Sequence, residues 1–482
     1  MAGLVDKLTA SGGTENAGFL NDIVAQLWPN INVAGGRMVK EIVEPILAST
    51  LPGPLSSLRF VKVDLGQEPI RISEVDVHKT QNGGIKLDMD IVWDGKSDID
   101  LAGSLVPKLV KLRAGIKNIH LQGRLSILLA PLTNIIPLIG AAQVAFINPP
   151  TLKLDFTDAA NIADCFLVDK AIRKTILNIV SSMAVLPNRF LVKLDNNNDY
   201  FKTYLPHLGA LRLTIERATG VQGPKKNAVM KLLNKIVKDV PDCYCKVAVG
   251  AEEEWRTSTK KDENNPEWNE THDFLVADND QEIVIDVQDE DLGSDDDIGI
   301  ATTSVKDILL DGGSKELQLF HNGEPVDARV SVRAQFYNFV DDAGILTSKS
   351  DAEEGQMVGL ATVLIGSVSG LQGQRDELNP SVKVSWGEKE FFTAAKSYTP
   401  GTDIFNPSFD QAFRIPLTAK LLANPESFKL TLLNKKDETA TFEIPFSDIL
   451  QAPGLIKEDS FAVGLGVTVR ASVSLRALRA AH

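Results

Sequence analysis

The stretch IKLDMDIVW, residues Ile85 to Trp93, places an apolar side chain at every second position. Lys86, Asp88 and Asp90 stand between these positions, so the other face of the segment is charged. Alternation with a period of two is typical of a β-strand that has one face against a core and the other in water. The Asn82-Gly83 pair just before it favours a hairpin turn. This part of the chain is therefore predicted to form a sheet with one apolar and one solvated face.

Similar segments extend on both sides of this stretch. They predict further strands around residues 61–65, 99–105, 116–121, 125–129, 144–146 and 152–156. A helix is predicted before the strands, because Met38, Ile42, Ile46 and Leu47 share one stripe, with a kink at Pro45. Apolar residues 172, 176, 179, 180 and 183 predict a closing helix, which Pro187 ends. Residues 19–205 are thus predicted to form one α+β unit.

Composition and charge narrow the class of protein. The chain has 482 residues, of which 43% are hydrophobic and 24% charged, and its net charge is −14. These values are typical of a globular protein with about three domains. The acidic balance argues against nucleic acid as a partner, because neutralising phosphates requires a basic surface. Three cysteines are too few for a disulfide framework, which favours reduced thiols in a cytosolic setting.

Neither a signal peptide nor a transmembrane segment is expected. Residues 1–18 are small and polar and lack the regions of a secretory signal. Residues 125–152 carry no charged side chain and are long enough to span a bilayer, but four prolines interrupt them. This segment is therefore expected to be buried, or to face lipid, within a soluble module.

The rest of the chain resolves into two related units, residues 207–340 and 357–480, joined by a polar linker, residues 341–356. The motif GVQG at residues 220–223 recurs as GLQG at residues 370–373. NPEWNE at residues 265–270 recurs, in the same order, as NPSFDQ at residues 406–411. Matched landmarks of this kind predict two copies of one strand-rich module.

An acidic loop follows an apolar strand in the first copy. Six of the nine residues 289–297 are acidic, so they repel one another unless water or a cation separates them. Ca²⁺ takes six to eight oxygen ligands, which carboxylates on one loop can supply. On the loop alone, a calcium site and a solvated acidic turn are equally good interpretations.

The motifs around this loop resemble a C2 domain, a β-sandwich that binds calcium between loops at one end. The resemblance implies that Asp289 and Asp291 are ligands and that Asp296, or its neighbour Asp297, supplies the next one. It also implies a ligand from the first loop, Asp242 in PDCYC, and Asp239 lies nearest to the family's other first-loop aspartate. The second copy has Asn379 in place of Asp242 and lysines at positions 435 and 436, so it is expected to lack the calcium site.

An insert at residues 224–240 has the pattern of a basic amphipathic helix. Two interpretations stay open: a helix that packs on its own sandwich with its lysines in water, or a helix that lies on an anionic membrane. The residues assigned to the membrane surface are Lys226, Lys231, Leu232, Leu233, Lys235, Ile236 and Lys238.

The first unit carries a series of motifs in a fixed order. They are LWPNIN at residues 27–32, VEPIL at 43–47, SLRFVKVDLG at 57–66, VWDG at 92–95, IKNIHLQGRL at 116–125, INPPTLKLDFT at 147–157 and VLPNR at 185–189. This set resembles the SMP domain of extended synaptotagmins, tricalbins and plant synaptotagmins, in which C2 domains follow. It implies an α+β tubular lipid-binding barrel, usually dimeric, with an apolar seam for glycerolipid chains. The expected lining residues are Val61, Val63, Leu87, Met89, Ile91, Ile119, Leu121, Ile127, Leu129, Val144, Phe146, Leu154, Phe156, Ile172, Ile176 and Ile179.

The resemblance implies lipid transfer and membrane tethering at membrane contact sites. The first unit would carry glycerophospholipid and form a homodimer, and the C2 domains would dock on anionic membranes with calcium as cofactor. The expected location is the cytosolic face of membranes, at contacts between the endoplasmic reticulum and the plasma membrane. The alternative is a calcium-dependent phospholipid-binding scaffold without transfer activity. No P-loop, HExxH motif or nucleophile elbow is present, so no enzyme is expected.

Overall fold

The structure is a computed structural model. The residues that it describes are 14–50, 56–80, 83–104, 111–157, 165–195, 207–222, 240–291, 295–348, 355–464 and 466–481. Within these ranges the chain forms a sheet-rich unit with helices, followed by two β-sandwiches. The predicted multidomain α+β and β-sandwich fold class is confirmed.

The first unit is built on an antiparallel sheet with two long central strands, which pair along their whole lengths. The strands of this sheet are β1 (Thr14–Asn16), β2 (Arg59–Asp64), β3 (Arg71–Lys79), β4 (Ile85–Ser104), β5 (Lys111–Leu129), β6 (Ala141–Phe146), β7 (Thr151–Thr157) and β8 (Phe190–Lys193). β2 and β3 share the outer edge of β4, and β6 and β7 share that of β5. The sheet is therefore elongated along the β4–β5 pair.

The strands predicted separately within β4, and those within β5, are continuous in the structure. A register shift between Lys96 and Ile99 changes the phase of β4 without ending it. A bulge of this kind interrupts the alternation of side chains, which is why the pattern suggested two strands.

Helices pack on the apolar face of this sheet. They are α1 (Gly18–Met38), a π-helical segment (Val39–Val43), α2 (Glu44–Thr50) and α3 (Cys165–Ala184). The predicted kink at Pro45 corresponds to the π-helical segment just before it, because proline cannot donate the helical hydrogen bond. Trp28 of α1 donates from Nε1 to the carbonyl of Gly66 at 3.0 Å, and its ring meets that of Trp93 edge-on at 5.6 Å between centroids. These contacts fix α1 on β4.

The second and third units are sandwiches with separate apolar cores. The first consists of β9 (Gly209–Thr219), β10 (Cys243–Val249), β11 (Trp255–Arg256), β12 (Glu267–Val276), β13 (Glu282–Asp289), β14 (Asp296–Ser304), β15 (Ser314–His321) and β16 (Glu324–Val340). The second consists of β17 (Met357–Ser369), β18 (Pro380–Trp386), β19 (Lys389–Phe392), β20 (Ser408–Thr418), β21 (Phe428–Asn434), β22 (Asp437–Ile444), β23 (Ile456–Gly464) and β24 (Val467–Ala480).

The two sandwiches are joined by strand pairing. β16 pairs with β24, from Tyr337 opposite Ala480 to Val340 opposite Ala477. One sheet therefore runs from the first sandwich into the second. The predicted linker also contains a short helix, Ala343–Thr347, in which Leu346 is buried.

The first unit meets the first sandwich through charged and polar contacts. Lys86 Nζ lies 2.8 Å from Asp88 Oδ2 on its own strand and 2.6 Å from Asp278 Oδ2 in the β12–β13 loop. Asn148 Oδ1 accepts a hydrogen bond from the amide of Glu282 at 2.8 Å. Because β13 runs from Glu282 to Asp289, the acidic loop lies at the opposite end of the sandwich from this contact.

Candidate lipid-binding and calcium-binding sites

The apolar face of the first unit forms two clusters of side chains along the sheet. One surrounds Trp93, Leu101 and Ile119, and the other surrounds Met89, Ile91 and Phe146. Val24, Ile70 and Leu121 contact both clusters, so the apolar interior is continuous.

Most of the predicted lining residues lie on this interior face. The buried ones are Met89, Ile91, Ile119, Phe146, Leu154, Ile172 and Ile179. The half-buried ones are Val63, Leu87, Leu121, Ile127, Leu129, Val144, Phe156 and Ile176. Strand pairing places Leu87 opposite Ile127 and Ile127 opposite Val144, so these three share one face of the sheet.

Val61 differs from the other predicted lining residues, because it is 63% exposed. The pairing of β2 with β4 shifts in register between Phe60 and Lys62. Phe60 is therefore turned into the core, and Val61 faces outwards. Strict alternation places Val61 on the same face as Val63, and the sequence pattern does not show the register shift that turns it outwards.

Helix α1 carries apolar side chains that do not reach the interior. Phe19, Ile23 and Leu27 are exposed and follow one another at intervals of four residues, which puts them on one side of the helix. Exposed apolar residues that form a contiguous stripe mark an interaction surface. This stripe was not predicted: its spacing of four residues is visible in the sequence, but its exposure is not.

Asp242 and Asp289 lie side by side at one end of the first sandwich. Asp289 ends β13 and is paired with Cys243, the residue after Asp242. Asp289 Oδ1 accepts a hydrogen bond from the amide of Asp242 at 2.7 Å. Asp242 Oδ1 accepts one from the amide of Asp262 at 2.9 Å. Loops before β10, before β12 and after β13 therefore converge on these two carboxylates.

The structure places Asp296 and Asp297 on different faces of β14. Asp296 is paired with Asp289, so these two side chains share a face. Asp297 is paired with Gln288 on the other face, and its Oδ2 lies 3.4 Å from Nδ1 of His321. Asp296 is thus the better placed of the two beside Asp289, and Asp291, two residues beyond Asp289, is exposed.

Asp295, which was not among the predicted ligands, has a structural partner. It accepts a hydrogen bond from the hydroxyl of Tyr244 at 2.6 Å, which lowers the pKa of Asp295. The guanidinium of Arg256 lies 3.7 Å from the centroid of the Tyr244 ring and 2.6 Å from Glu290 Oε1. Part of the acidic charge of the loop is therefore balanced by the protein itself.

The second sandwich repeats the geometry of the first with amides in place of carboxylates. Asn434 Oδ1 accepts a hydrogen bond from the amide of Asn379 at 2.7 Å, as Asp289 does from Asp242. In the second sandwich the amide of Lys435 donates to the carbonyl of Asn379 at 3.0 Å. In the first, the amide of Glu290 donates to the carbonyl of Asp242 at 2.9 Å. Since the neutral side chain of Asn434 makes the same bond as Asp289, the fold does not require the negative charge of Asp289.

The carboxylates of the first sandwich fit a hard divalent cation by their chemistry, because Ca²⁺ prefers carboxylate and carbonyl oxygens. Across the described ranges, no group of three His, Cys, Asp or Glu side chains is already arranged to hold a metal ion. A bound ion would therefore have to draw Asp242, Asp289, Asp291 and Asp296 closer together.

Several predicted site residues lie outside the described residues. They are Asp239 and the assigned membrane-surface residues of the insert, Lys226, Lys231, Leu232, Leu233, Lys235, Ile236 and Lys238. In the part of the chain that the structure describes, no helix combines the length and apolarity needed to cross a bilayer.

Comparison with known families and proteins gives two domain matches and a set of relatives. The synaptotagmin-like mitochondrial-lipid-binding domain, abbreviated SMP, matches residues 13–195, and the C2 domain matches residues 209–321. Extended synaptotagmin-2 of Mus musculus is 28% identical over 492 residues, which cover 96% of this chain and 55% of that protein. Extended synaptotagmin-2-A of Xenopus laevis is 33% identical over 290 residues, which cover 59% of this chain and 32% of that protein.

The chain thus spans about half the length of the curated relatives that it matches. A solved structure of the SMP, C2A and C2B domains of extended synaptotagmin 2 aligns with a TM-score of 0.65 at 24% sequence identity. The alignment covers 96% of this chain and 99% of that one, so the two have the same fold.

Proposed function

Because the chain belongs to the extended synaptotagmin family, with an SMP lipid-binding domain followed by C2 domains, we propose that it transfers glycerophospholipid between apposed membranes and tethers them. The observation that carries this proposal is the continuous apolar interior along the β4–β5 pair. A lipid removed from a bilayer exposes its chains to water at a cost of about 0.8 kcal/mol per CH₂. A carrier offsets that cost by offering apolar side chains to the acyl chains, and this interior is the surface that can do so.

The exposed stripe of α1 supports a homodimer through the SMP domain. Phe19, Ile23 and Leu27 would be covered by a second copy, which removes their apolar surface from water. In this proposal the two copies extend one apolar path from one membrane towards the other.

We propose further that the first C2 domain binds calcium through Asp242, Asp289, Asp291 and Asp296. Without the ion, the acidic loop repels anionic headgroups, and a bound Ca²⁺ reduces that repulsion locally. The comparison within the chain supports this role, because the charge of Asp289 is dispensable for the hydrogen bond that its side chain accepts. The second C2 domain, with Asn379, Asn434 and two lysines at the corresponding positions, would bind membranes without calcium.

The proposed domains are residues 19–205, 207–340 and 357–480, with a linker at residues 341–356. The proposed location is the cytosolic face of membranes at contacts between the endoplasmic reticulum and the plasma membrane. No catalytic step is part of this proposal.

Native mass spectrometry and a vesicle assay test the transfer function on the full chain. We expect the purified protein to retain glycerophospholipid and to move a fluorescent phospholipid from donor to acceptor vesicles. A protein that holds no lipid and moves none, but still clusters vesicles, would be a tether only and would refute transfer.

A further inference from the structure

The turn between β5 and β6 exposes large apolar side chains. We call residues Pro131 to Ile139 the apolar tip. Ile135 and Ile136 are 69% and 88% exposed, and Leu132 and Leu138 are also exposed. The tip lies within the uncharged segment 125–152, and nothing in the lipid-carrying interior or the calcium site accounts for it.

Hydrogen bonds hold the apolar tip in one shape. The amide of Thr133 donates to the carbonyl of Leu138 at 2.8 Å, and the amide of Leu138 donates to the carbonyl of Ile135 at 2.6 Å. The amide of Gly140 closes the turn on the carbonyl of Pro131 at 2.8 Å. A turn that is already ordered loses little conformational freedom when it binds, so its apolar side chains are displayed at low cost.

The size and charge of the tip favour a bilayer over a protein as its partner. Four side chains offer on the order of a few hundred Å², whereas a stable protein interface buries about 800 Å² on each partner. A protein interface also has a polar rim. No charged residue lies between Leu125 and Leu152, which suits a segment that enters hydrocarbon, where charges are costly.

The base of the tip is close to the second C2 domain. The carbonyl of Gly140 accepts the amide of Leu194 at 2.8 Å, and the neighbouring Lys193 Nζ lies 3.2 Å from Asp410 Oδ2 on β20. Asp410 lies near the start of β20 and follows Phe409, whose ring centroid is 5.8 Å from Lys396 Nζ.

Lys396 lies at the end of the second C2 domain that also carries two further lysines. Its amide donates to the carbonyl of Pro380 at 2.9 Å, and the amide of Lys435 donates to that of Asn379 at 3.0 Å. A series of contacts thus leads from the base of the tip, through Lys193, Asp410 and Lys396, to the end of the second C2 domain where Lys435 and Lys436 follow β21. Lysines next to an exposed apolar segment complement an anionic membrane surface, with the apolar part in the lipid layer.

We propose that the apolar tip inserts into the outer part of an anionic bilayer and seats the SMP domain there. This proposal rests on the membrane-binding part of the proposed function and not on lipid transfer.

The test uses the full chain with calcium chelated and vesicles of phosphatidylcholine and phosphatidylserine. Ile135→Ser/Ile136→Ser removes apolar surface without adding charge, and Ile300→Ser/Leu310→Ser changes two exposed apolar residues of the first C2 domain. We expect the tip variant to bind vesicles about tenfold more weakly and the control variant to bind within about twofold of the unchanged chain. Equal binding by all three would overturn the proposal. Thermal unfolding checks that both variants are folded, which their exposure predicts.

A second readout locates the tip directly. An environment-sensitive fluorophore on Ile136→Cys, in a Cys165→Ser background, should shift to the blue with vesicles, while the same label on Leu310→Cys should not. Cys243 and Cys245 are buried and would not compete for the label. Binding of the labelled chain without a blue shift would overturn insertion.

Two further outcomes separate the alternatives. If light scattering shows that the tip variant loses an oligomer while vesicle binding is unchanged, the tip is a contact between copies and the proposal fails. If the unchanged chain holds no lipid in native mass spectrometry but its tip label still shifts, lipid transfer fails and the proposal for the tip stands.

Discussion

Replacing Lys86 by methionine should loosen the contact between the SMP domain and the first C2 domain. Lys86 lies between Asp88 and Asp278, at 2.8 and 2.6 Å, and both carboxylates are almost fully buried in the docked chain. Methionine has a similar volume but no charge, so two buried carboxylates would face each other without this cation.

The free-energy cost of Lys86→Met follows from the burial of the ion pairs that Lys86 makes with Asp88 and Asp278. Removing one partner of a buried pair costs about 3–5 kcal/mol. We expect the lower end of that range, because Arg189 also acts on both carboxylates. Separation of the two domains returns the carboxylates to water, so the cost appears in the docking equilibrium and not in the unfolding of either domain. A cost of about 3 kcal/mol raises the population of the separated form roughly 150-fold.

The pH dependence should reverse in this variant. Burial acts to raise the pKa of Asp278, but Lys86 outweighs it and the pKa is lowered overall. Docking of the unchanged chain is therefore favoured at pH values above the ordinary pKa of aspartate. It weakens as the pH falls through the lowered pKa of Asp278. Without Lys86, burial dominates and raises the pKa of Asp278, so acid should strengthen docking.

Hydrogen exchange at the amide of Glu282 measures this equilibrium, because that amide donates to Asn148 across the contact. We expect exchange about 100-fold faster in Lys86→Met, since opening becomes more frequent. Lys79→Met, at an exposed lysine of the same domain, should leave the rate unchanged. A change of less than about threefold at Glu282 in Lys86→Met would refute the reasoning, since it corresponds to well under 1 kcal/mol.

Three other predictions concern the two sites and a partly buried acid. Asp242→Asn/Asp289→Asn reproduces the amide pair of the second C2 domain and keeps its hydrogen bonds, so calorimetry should show no calcium binding; retained binding would exclude these ligands. Val63→Trp/Leu121→Trp places two large rings in the apolar interior and should at least halve the lipid seen in native mass spectrometry, whereas Leu310→Trp should not; equal lipid content would place the lipid elsewhere. Burial raises the pKa of Glu252 to about 7, against the attraction of Arg414. The contribution of Glu252 to stability is therefore fully present at pH values below its ordinary pKa of 4.5 and is lost as the pH rises through about 7. The unchanged chain should therefore lose thermal stability relative to Glu252→Gln over that range, and parallel melting curves would contradict the assignment.

The sequence pattern located the strands well where one face is apolar and the other charged. It could not tell what covers the charged face. The prediction that this face is solvated is wrong for Asp88, which is 2% exposed, because the contact with Asp278 and Lys86 lies over it. A contact between residues almost two hundred positions apart leaves no local signal in either segment.

For the candidate calcium site too, local patterns could be predicted from the sequence and contacts between distant segments could not. A run of acids within one loop is visible in the sequence, so Asp289 and Asp291 could be proposed as ligands without a structure. The choice between Asp296 and Asp297 depends on strand register, and the bond from Tyr244 to Asp295 depends on pairing of β10 with β13. Exposure of Phe19 and Ile136 depends on what the rest of the chain leaves uncovered, which spacing alone does not determine.

The pairing of β16 with β24 has a mechanical consequence for the proposed tether, in which the chain would be pulled between two membranes. Tension that reaches the C2 pair is shared by several backbone hydrogen bonds acting together, and is not carried by the covalent connection through residues 341–356 alone. We expect the two C2 domains to move as one stiff body. As the gap between the membranes increases, their loops would leave the lipid before the two sandwiches separate from each other.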